Sequence, residues 1–383
     1  MTEYPNLYSS GSLGGKTAPN RIVSQPMEGN DSDSGDVSQR TIDRYAHLAI
    51  GGWGTIIIEA VSITDNCLAR KNQLVIKQSN LDGYKKLVDT IKKEAPDTLV
   101  QFQITHSGRK GGKAFSNPYA MYSPGDGERL LVSDDLERIK DDFIAKTLLF
   151  EKTGADGVDF KLCHGYLGCE MLRPANIRND KWGGSFENRT RMLRECISAI
   201  RDSQKSDNFI LGGRISLYEG IRGGCGTEGS DELTEDFTEM DSLIGLMNEL
   251  KMDYVNVSAG IPGLTSEITR PTRTSRLFYL HQFRYARRIS EISRNLKVIG
   301  SAYSVLEEVA LELADENIRK GYADFAGWGR QSLADPHFPA KVTAGKPVDY
   351  CKACSGCSKL MIKQVHVGCT VFNEYYRSQL KGA

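Results

Sequence analysis

The sequence lacks a net charge and lacks long apolar runs. Lysine plus arginine and aspartate plus glutamate number 49 each, so no overall field directs the chain to nucleic acid or to an anionic membrane surface. No apolar stretch approaches the ~20 residues of a membrane span, and the first residues lack the basic start and apolar core of a secretory signal. These absences predict a cytoplasmic protein that does not bind nucleic acid or membranes. Its expected partners are small molecules or proteins, and a homo-oligomer is compatible with the sequence.

Cysteine is present in an odd number, nine, which argues against a complete disulfide framework. Four of the cysteines lie in the last tenth of the chain: Cys351, Cys354, Cys357 and Cys369. Two, two and eleven residues separate successive members. Thiolates at this spacing favour a 4Fe-4S cluster. A structural zinc ion is the alternative, although four-cysteine zinc sites more often use two separated CxxC pairs.

Eight short apolar segments alternate with segments of helical periodicity. The predicted strands cover 20–25, 55–59, 99–104, 157–161, 209–216, 254–258, 297–301 and 323–327. This alternation predicts the α/β class and a (β/α)8 TIM barrel over residues 1–345, followed by a short cysteine-rich segment over residues 346–383. An open doubly wound sheet is the alternative.

Proton-carrying side chains cluster where the fourth predicted strand ends. Lys161, His164 and Tyr166 lie within six residues there, and reactive groups of such barrels lie where strands end and loops begin. A basic loop after strand six, with arginines at positions 270, 273 and 276, is either a holder for a carboxylate or a CoA phosphate or simply a solvated loop.

Several ordered motifs resemble the old yellow enzyme family. They are Pro-Met after strand one, QxxHxGR over 103–109, HGYL over 164–167, RxDxWGGSxENR over 178–189 and GRQSLADP over 329–336. The resemblance implies an FMN-dependent barrel that reduces activated C=C bonds or, in some branches, oxidises amines. The FMN contacts it implies are Pro26, Met27, Glu28, Glu59, Ala60, Gln103, Arg214, Ser301, Ala302, Gly329 and Arg330.

The resemblance also implies catalytic roles. Tyr166 is expected to donate a proton to the carbon opposite the hydride, and His164 to hold the substrate. Lys161 departs from the family pattern, which has His, Asn or Tyr at this position. It either anchors a substrate carbonyl or carboxylate or pairs with Glu28, which stands where relatives often have Thr or Cys.

The cysteine segment resembles the cluster motif of the branch that contains trimethylamine dehydrogenase, 2-enoate reductase and 2,4-dienoyl-CoA reductase. Those relatives continue into a domain for FAD or ADP. We therefore expect an ene-reductase whose electrons enter through the cluster from a ferredoxin, a flavodoxin or a separate FAD/NAD(P)H subunit. The alternatives are an amine dehydrogenase or demethylase that passes electrons out through the cluster, and a structural subunit with zinc in the cysteine site.

Overall fold

The computed structural model describes residues 3–293 and 295–381; the predicted outer limits at residues 1 and 383 lie outside this part. Eight parallel strands of the described chain form a closed barrel. They are Ile22–Ser24, Thr55–Ser62, Leu99–Thr105, Gly157–Leu162, Ile210–Ser216, Tyr254–Ser258, Lys297–Gly300 and Phe325–Trp328. The eighth strand closes onto the first in the register Ala326 to Ile22. The predicted TIM barrel is therefore confirmed, and the open sheet is wrong.

Helices surround the barrel and cover its outer face. In the described chain they are Gln39–Ile50, Leu81–Glu94, Ser133–Glu151, Leu167–Leu172, Phe186–Ser203, Thr238–Glu249, Ser266–Thr269, Tyr279–Ile292, Val309–Arg319, Arg330–Ala334, Phe338–Thr343, Gly356–Ile362 and Glu374–Lys381. Strand Thr55–Ser62 is buried along its whole length, as expected for a strand with the barrel interior on one side and helices on the other. The helix Phe186–Ser203 begins at Ser185, whose side chain accepts a hydrogen bond from the Asn188 amide.

An antiparallel hairpin plugs the amino-terminal end of the barrel. It consists of Gly11–Leu13 and Lys16–Ala18, and its Leu13 and Ala18 pack with inward-facing strand residues such as Val23 and Phe325. The opposite end, where the strands finish, remains available for a functional site.

The cysteine-rich tail docks on that opposite end. The Val367 amide donates to the Gly29 carbonyl at 2.8 Å, and the Asn30 side chain donates to the Val365 carbonyl at 3.0 Å. The Cys351 amide donates to the Gln331 side chain at 2.8 Å. These contacts join the tail to the exits of strands one and eight. Within the described residues, no helix combines the length and the apolar character that crossing a membrane demands.

Candidate active site

A cavity of about 410 Å³ opens among the loops at the carboxyl ends of the strands, a size typical of small-molecule sites. Most of the predicted site residues line it: Pro26, Met27, Glu28, Gln103, Lys161, His164, Tyr166, Arg214, Ser301, Ala302, Gly329 and Arg330. Its wall also contains residues that the motifs did not select, among them Gln25, Arg70 and Lys110. The fold thus brings segments from most of the chain to one site.

A strained turn after strand four holds His164. His164 and Gly165 both have positive φ, 63° and 73°, a conformation that residues other than glycine seldom adopt. The His164 amide donates to Ser216 Oγ at 3.1 Å, and its Nε2 lies 2.7 Å from Ser258 Oγ. Hydroxyls at the ends of strands five and six therefore fix the position of the imidazole.

Glu28 joins the catalytic candidates into one buried cluster. Its Oε1 accepts hydrogen bonds from the Tyr166 hydroxyl at 2.9 Å and from Lys161 Nζ at 3.2 Å, and its Oε2 lies 2.7 Å from Arg70 Nε. Lys161 Nζ also lies 3.5 Å from the centroid of the Tyr166 ring, within cation–π distance. The geometry matches the expectation in which Lys161 pairs with an acidic neighbour.

The charges of this cluster set its protonation at neutral pH. Burial alone raises the pKa of Glu28, but the charges of Arg70 and Lys161 outweigh burial and lower this pKa to about 2. Burial alone lowers the pKa of Lys161, but Tyr166 and Glu28 outweigh it and raise this pKa. Burial and the Glu28 charge raise the pKa of Tyr166. Glu28 is thus an anion, Lys161 a cation and Tyr166 a protonated phenol.

His164 is neutral. Burial lowers its pKa well below the ordinary value, and the charges of Arg214, Lys161, Arg270 and Lys110 lower it further. Four cations therefore face the imidazole, which can donate a hydrogen bond without carrying charge.

A hydrogen-bonded layer inside the barrel orients Gln103. Asp159 accepts from Gln103 Nε2 at 2.7 Å and from Asn256 Nδ2 at 3.2 Å. Gln25 Nε2 donates to Asn256 Oδ1 at 2.8 Å and to Ser301 Oγ at 3.1 Å. Because its amino group is bound to Asp159, Gln103 keeps its carbonyl oxygen as an acceptor toward a ligand.

The residues present fit FMN. In the described structure, Arg214 Nε and Arg330 Nη1 are buried without a hydrogen-bond partner, although buried polar atoms are usually paired. Both arginines are FMN contacts that the family resemblance implies, Arg214 at the flavin N1 edge and Arg330 at the phosphate. Ala302 and Gly329 line the cavity where the phosphate is expected; Ala302 has a positive φ of 75°, and Gly329 has no room for a side chain, since a Cβ there would lie 2.9 Å from Met27 Sδ.

Glu59 and Ala60 lie behind the cavity and are not among its lining residues. Glu59 accepts a hydrogen bond from the Gly29 amide at 2.9 Å and forms an ion pair with Arg44. Burial raises the pKa of Glu59 to about 7. Glu59 holds the strand-one exit, and its predicted contact with FMN stays a prediction.

The cysteine-rich tail borders the cavity, and Cys357 is one of the lining residues. The pKa of Cys351 is raised to about 11, mainly by burial and further by the charges of Cys357 and Cys369. The charge of Arg330 lowers this pKa but does not outweigh burial. Among the described residues, no three of the tail sulfurs approach within 4.8 Å of one another.

Several known proteins are similar to this chain in sequence or in fold. The profile of the NADH:flavin oxidoreductase / NADH oxidase family matches residues 7–349. The NADH oxidase of Thermoanaerobacter brockii is 29% identical over 97% of this chain, which spans 56% of that relative. The NADPH dehydrogenase of Clostridium acetobutylicum is 30% identical over 83% of this chain and 89% of its own length. A 2-naphthoyl-CoA reductase complex superposes with a TM-score of 0.85 at 24% identity, over 99% of this chain and 58% of the other.

The fold and the site define a flavin-dependent oxidoreductase of the TIM-barrel class. Within that class, the chain belongs to the NADH:flavin oxidoreductase / NADH oxidase family.

Sequence reasoning missed several residues of the site, among them Asp159, Arg70 and Lys110. Asp159 lies inside a predicted strand, where an acid gives no motif signal. Arg70 follows strand two in a loop without a recognisable pattern. Lys110 directly follows the motif at 103–109, and this adjacency is a signal that could have identified it.

Proposed function

We propose that this protein is an FMN- and 4Fe-4S-dependent reductase of a C=C bond conjugated to a carbonyl or carboxylate. The observation that carries the proposal is the buried cluster in which Glu28 holds the Tyr166 hydroxyl at 2.9 Å while Lys161 covers the Tyr166 ring. Bound FMN supplies hydride to the alkene. The chain's own residues supply the proton and bind the carbonyl group.

Tyr166 is the proposed proton donor. Its raised pKa keeps the phenol protonated at neutral pH. Before donation, the cluster holds the cations Lys161 and Arg70 and the anion Glu28, for a net charge of about +1 at neutral pH. Loss of the Tyr166 proton brings the cluster to neutrality, so Lys161 and Arg70 stabilise the tyrosinate.

His164 and Arg214 are the proposed groups that accommodate developing negative charge. Neutral His164 can donate a ring N–H to the substrate carbonyl, because Ser258 and Ser216 hold it in place. Arg214, with an unpaired buried Nε, suits the flavin edge that gathers negative charge on reduction.

The cavity wall disfavours the amine-oxidising alternative. Tyr166 is the only Tyr, Phe or Trp among the lining residues of the described chain, whereas alkylammonium ligands are recognised by aromatic cages. Lys161 already occupies a face of that one ring. Over residues 3–293 and 295–381, Glu28 is the one acidic lining residue, and six lysine or arginine residues line the cavity: Arg70, Lys110, Lys161, Arg214, Arg270 and Arg330. Such a wall repels a cationic amine.

We place a 4Fe-4S cluster at Cys351, Cys354, Cys357 and Cys369. Cys357 borders the cavity while Cys354 is exposed, which supports electron entry from a redox protein docked at the tail. A ferredoxin, a flavodoxin or a separate FAD/NAD(P)H-binding subunit would serve as donor. Reduction of the flavin by NADH or NADPH alone at catalytic rates would contradict this route.

The proposal is tested on protein purified without oxygen. Flavin, iron and acid-labile sulfide are measured first, and about four irons per chain are expected for one such cluster. The reduced protein is then mixed with unsaturated carbonyl compounds, and the oxidised protein with secondary and tertiary amines. Flavin oxidation by the alkenes supports the proposal; flavin reduction by the amines alone, or zinc in place of iron, refutes it.

A further inference from the structure

Lys110 is a cation at the active site that the proposed chemistry has not used. It lines the cavity and is partly buried. A Cβ built on Gly165 would lie 3.2 Å from Lys110 Cε. The lysine stem therefore lies against the turn between the proposed catalytic residues His164 and Tyr166.

No acid of the cavity wall is left to neutralise Lys110. Glu28 is the only acidic lining residue in the described chain, and it is already paired with Arg70 and Lys161. Glu219, which lies close by, accepts two hydrogen bonds from Arg173, at 2.7 and 3.0 Å. Burial and the charge of Arg173 lower the pKa of Lys110, because both disfavour its charged form.

The other cations of the cavity already have assigned partners. Arg214 and Arg330 face the proposed cofactor, Lys161 holds Glu28 at 3.2 Å, and Arg270 donates to Ser358 Oγ of the tail at 2.7 Å. A partly buried ammonium without a carboxylate is costly unless a ligand supplies the counter-charge. Among the described cavity cations that are not assigned to the cofactor, Arg270 and Lys110 thus have no acidic partner, and Lys110 is the one whose stem lies against the catalytic turn.

We propose that Lys110 binds a carboxylate of the substrate, so that the substrate class is an unsaturated carbonyl compound with a free carboxylate close to its C=C bond. This inference rests on the proposed reductase function. A lysine ammonium is a compact point charge with three rotatable donors, so it can meet a carboxylate without the fixed bidentate geometry that an arginine imposes.

The test uses a matched pair of ligands. 4-Oxopent-2-enoate carries the carboxylate, and its methyl ester lacks the charge; the saturated acid 4-oxopentanoate and its methyl ester serve as ligands that are not reduced. Binding to the FMN-loaded protein is followed by the flavin absorbance change, and reduction by reoxidation of the reduced flavin. The variants are Lys110→Met, Lys110→Arg and, as control, Lys113→Met, which removes an exposed lysine of the same loop.

Wild type is expected to bind 4-oxopentanoate at least tenfold more tightly than the methyl ester, a difference of about 1.4 kcal/mol. Lys110→Met should lose this preference while its affinity for the ester stays unchanged. Lys110→Arg should retain part of it, and Lys113→Met should behave as wild type. Equal affinity for acid and ester in the wild type, or an undiminished preference in Lys110→Met, overturns the inference. The reduction assay judges the proposed function separately, because failure to reduce either alkene refutes the reductase while the binding data still decide the role of Lys110.

Discussion

Replacing Glu28 with glutamine tests whether the buried charge cluster at the active site stabilises the protein. The substitution keeps the shape and an oxygen that can accept from Tyr166, but removes the negative charge between Arg70 and Lys161. The pKa of Glu28 falls from an ordinary value of 4.5 to about 2 in the folded protein. This difference corresponds to about 3 kcal/mol of folding free energy at neutral pH. Because Glu28 is almost completely buried, solvent screens the interaction little.

The sign of the pH dependence follows from the direction of the shift. A carboxyl whose pKa is lowered by folding contributes its full stability above its unfolded pKa. This contribution is lost as the pH falls from about 4.5 toward about 2. The stability difference between wild type and Glu28→Gln should therefore be about 3 kcal/mol at pH 7 and shrink below pH 4.5.

The free energy of unfolding is measured by urea denaturation of the anaerobic protein with its cofactors bound. Glu94→Gln, at an exposed acid in the helix Leu81–Glu94, is the control and should change stability by less than about 0.5 kcal/mol. The double variant Glu28→Gln/Lys161→Met should be more stable than Glu28→Gln, because it removes one of the two buried cations left unpaired. Wild-type stability of Glu28→Gln at pH 7, or a deficit that does not change with pH, would refute the assigned charge pairing.

Three further predictions concern the cofactors and catalysis. Tyr166→Phe should lower the rate of alkene reduction about 10²- to 10⁴-fold, the usual contribution of a proton donor, with flavin content unchanged; an unaltered single-turnover rate would exclude Tyr166 as the donor. Arg214→Met should weaken FMN retention and make the flavin midpoint potential more negative, since a positive charge beside the reduced flavin is lost; an unchanged potential would remove Arg214 from the flavin edge. Cys354→Ser should lose most of its iron and acid-labile sulfide, whereas Cys67→Ser, a buried cysteine outside the tail, should retain both; equal iron content would argue against the cluster.

The sequence predicted the barrel well because its signals are local. Strand 254–258 was predicted with the bounds that the structure has. The strand predicted over 55–59 begins at the predicted residue and ends three residues later, at Ser62. An apolar segment that ends at a polar residue marks both a buried strand and the point where its loop begins. The candidates at strand exits, such as Gln103, Arg214 and Tyr166, therefore line the cavity.

The remaining residues of the site depended on contacts between distant parts of the chain. Arg70 and Asp159 carry no motif, and their importance appears only when Arg70 meets Glu28 and Asp159 meets Gln103. Glu59 shows the reverse case. It was predicted to contact FMN, and the fold adds partners that the sequence did not show, Arg44 and the Gly29 amide behind the cavity wall; its contact with FMN stays a prediction.

The sequence by itself thus determined the family, the eight-stranded barrel and the chemical groups available at the strand exits, since periodicity and motif order are properties of neighbouring residues. Only the tertiary structure decided which charged side chains pair with one another at the site. Lys161 pairs with Glu28, 133 residues apart, and lies over the Tyr166 ring, while Lys110 forms no ion pair with an acid of the described residues. The physical reason is that burial strengthens every charge interaction, and which charges are buried together is decided only when the chain folds.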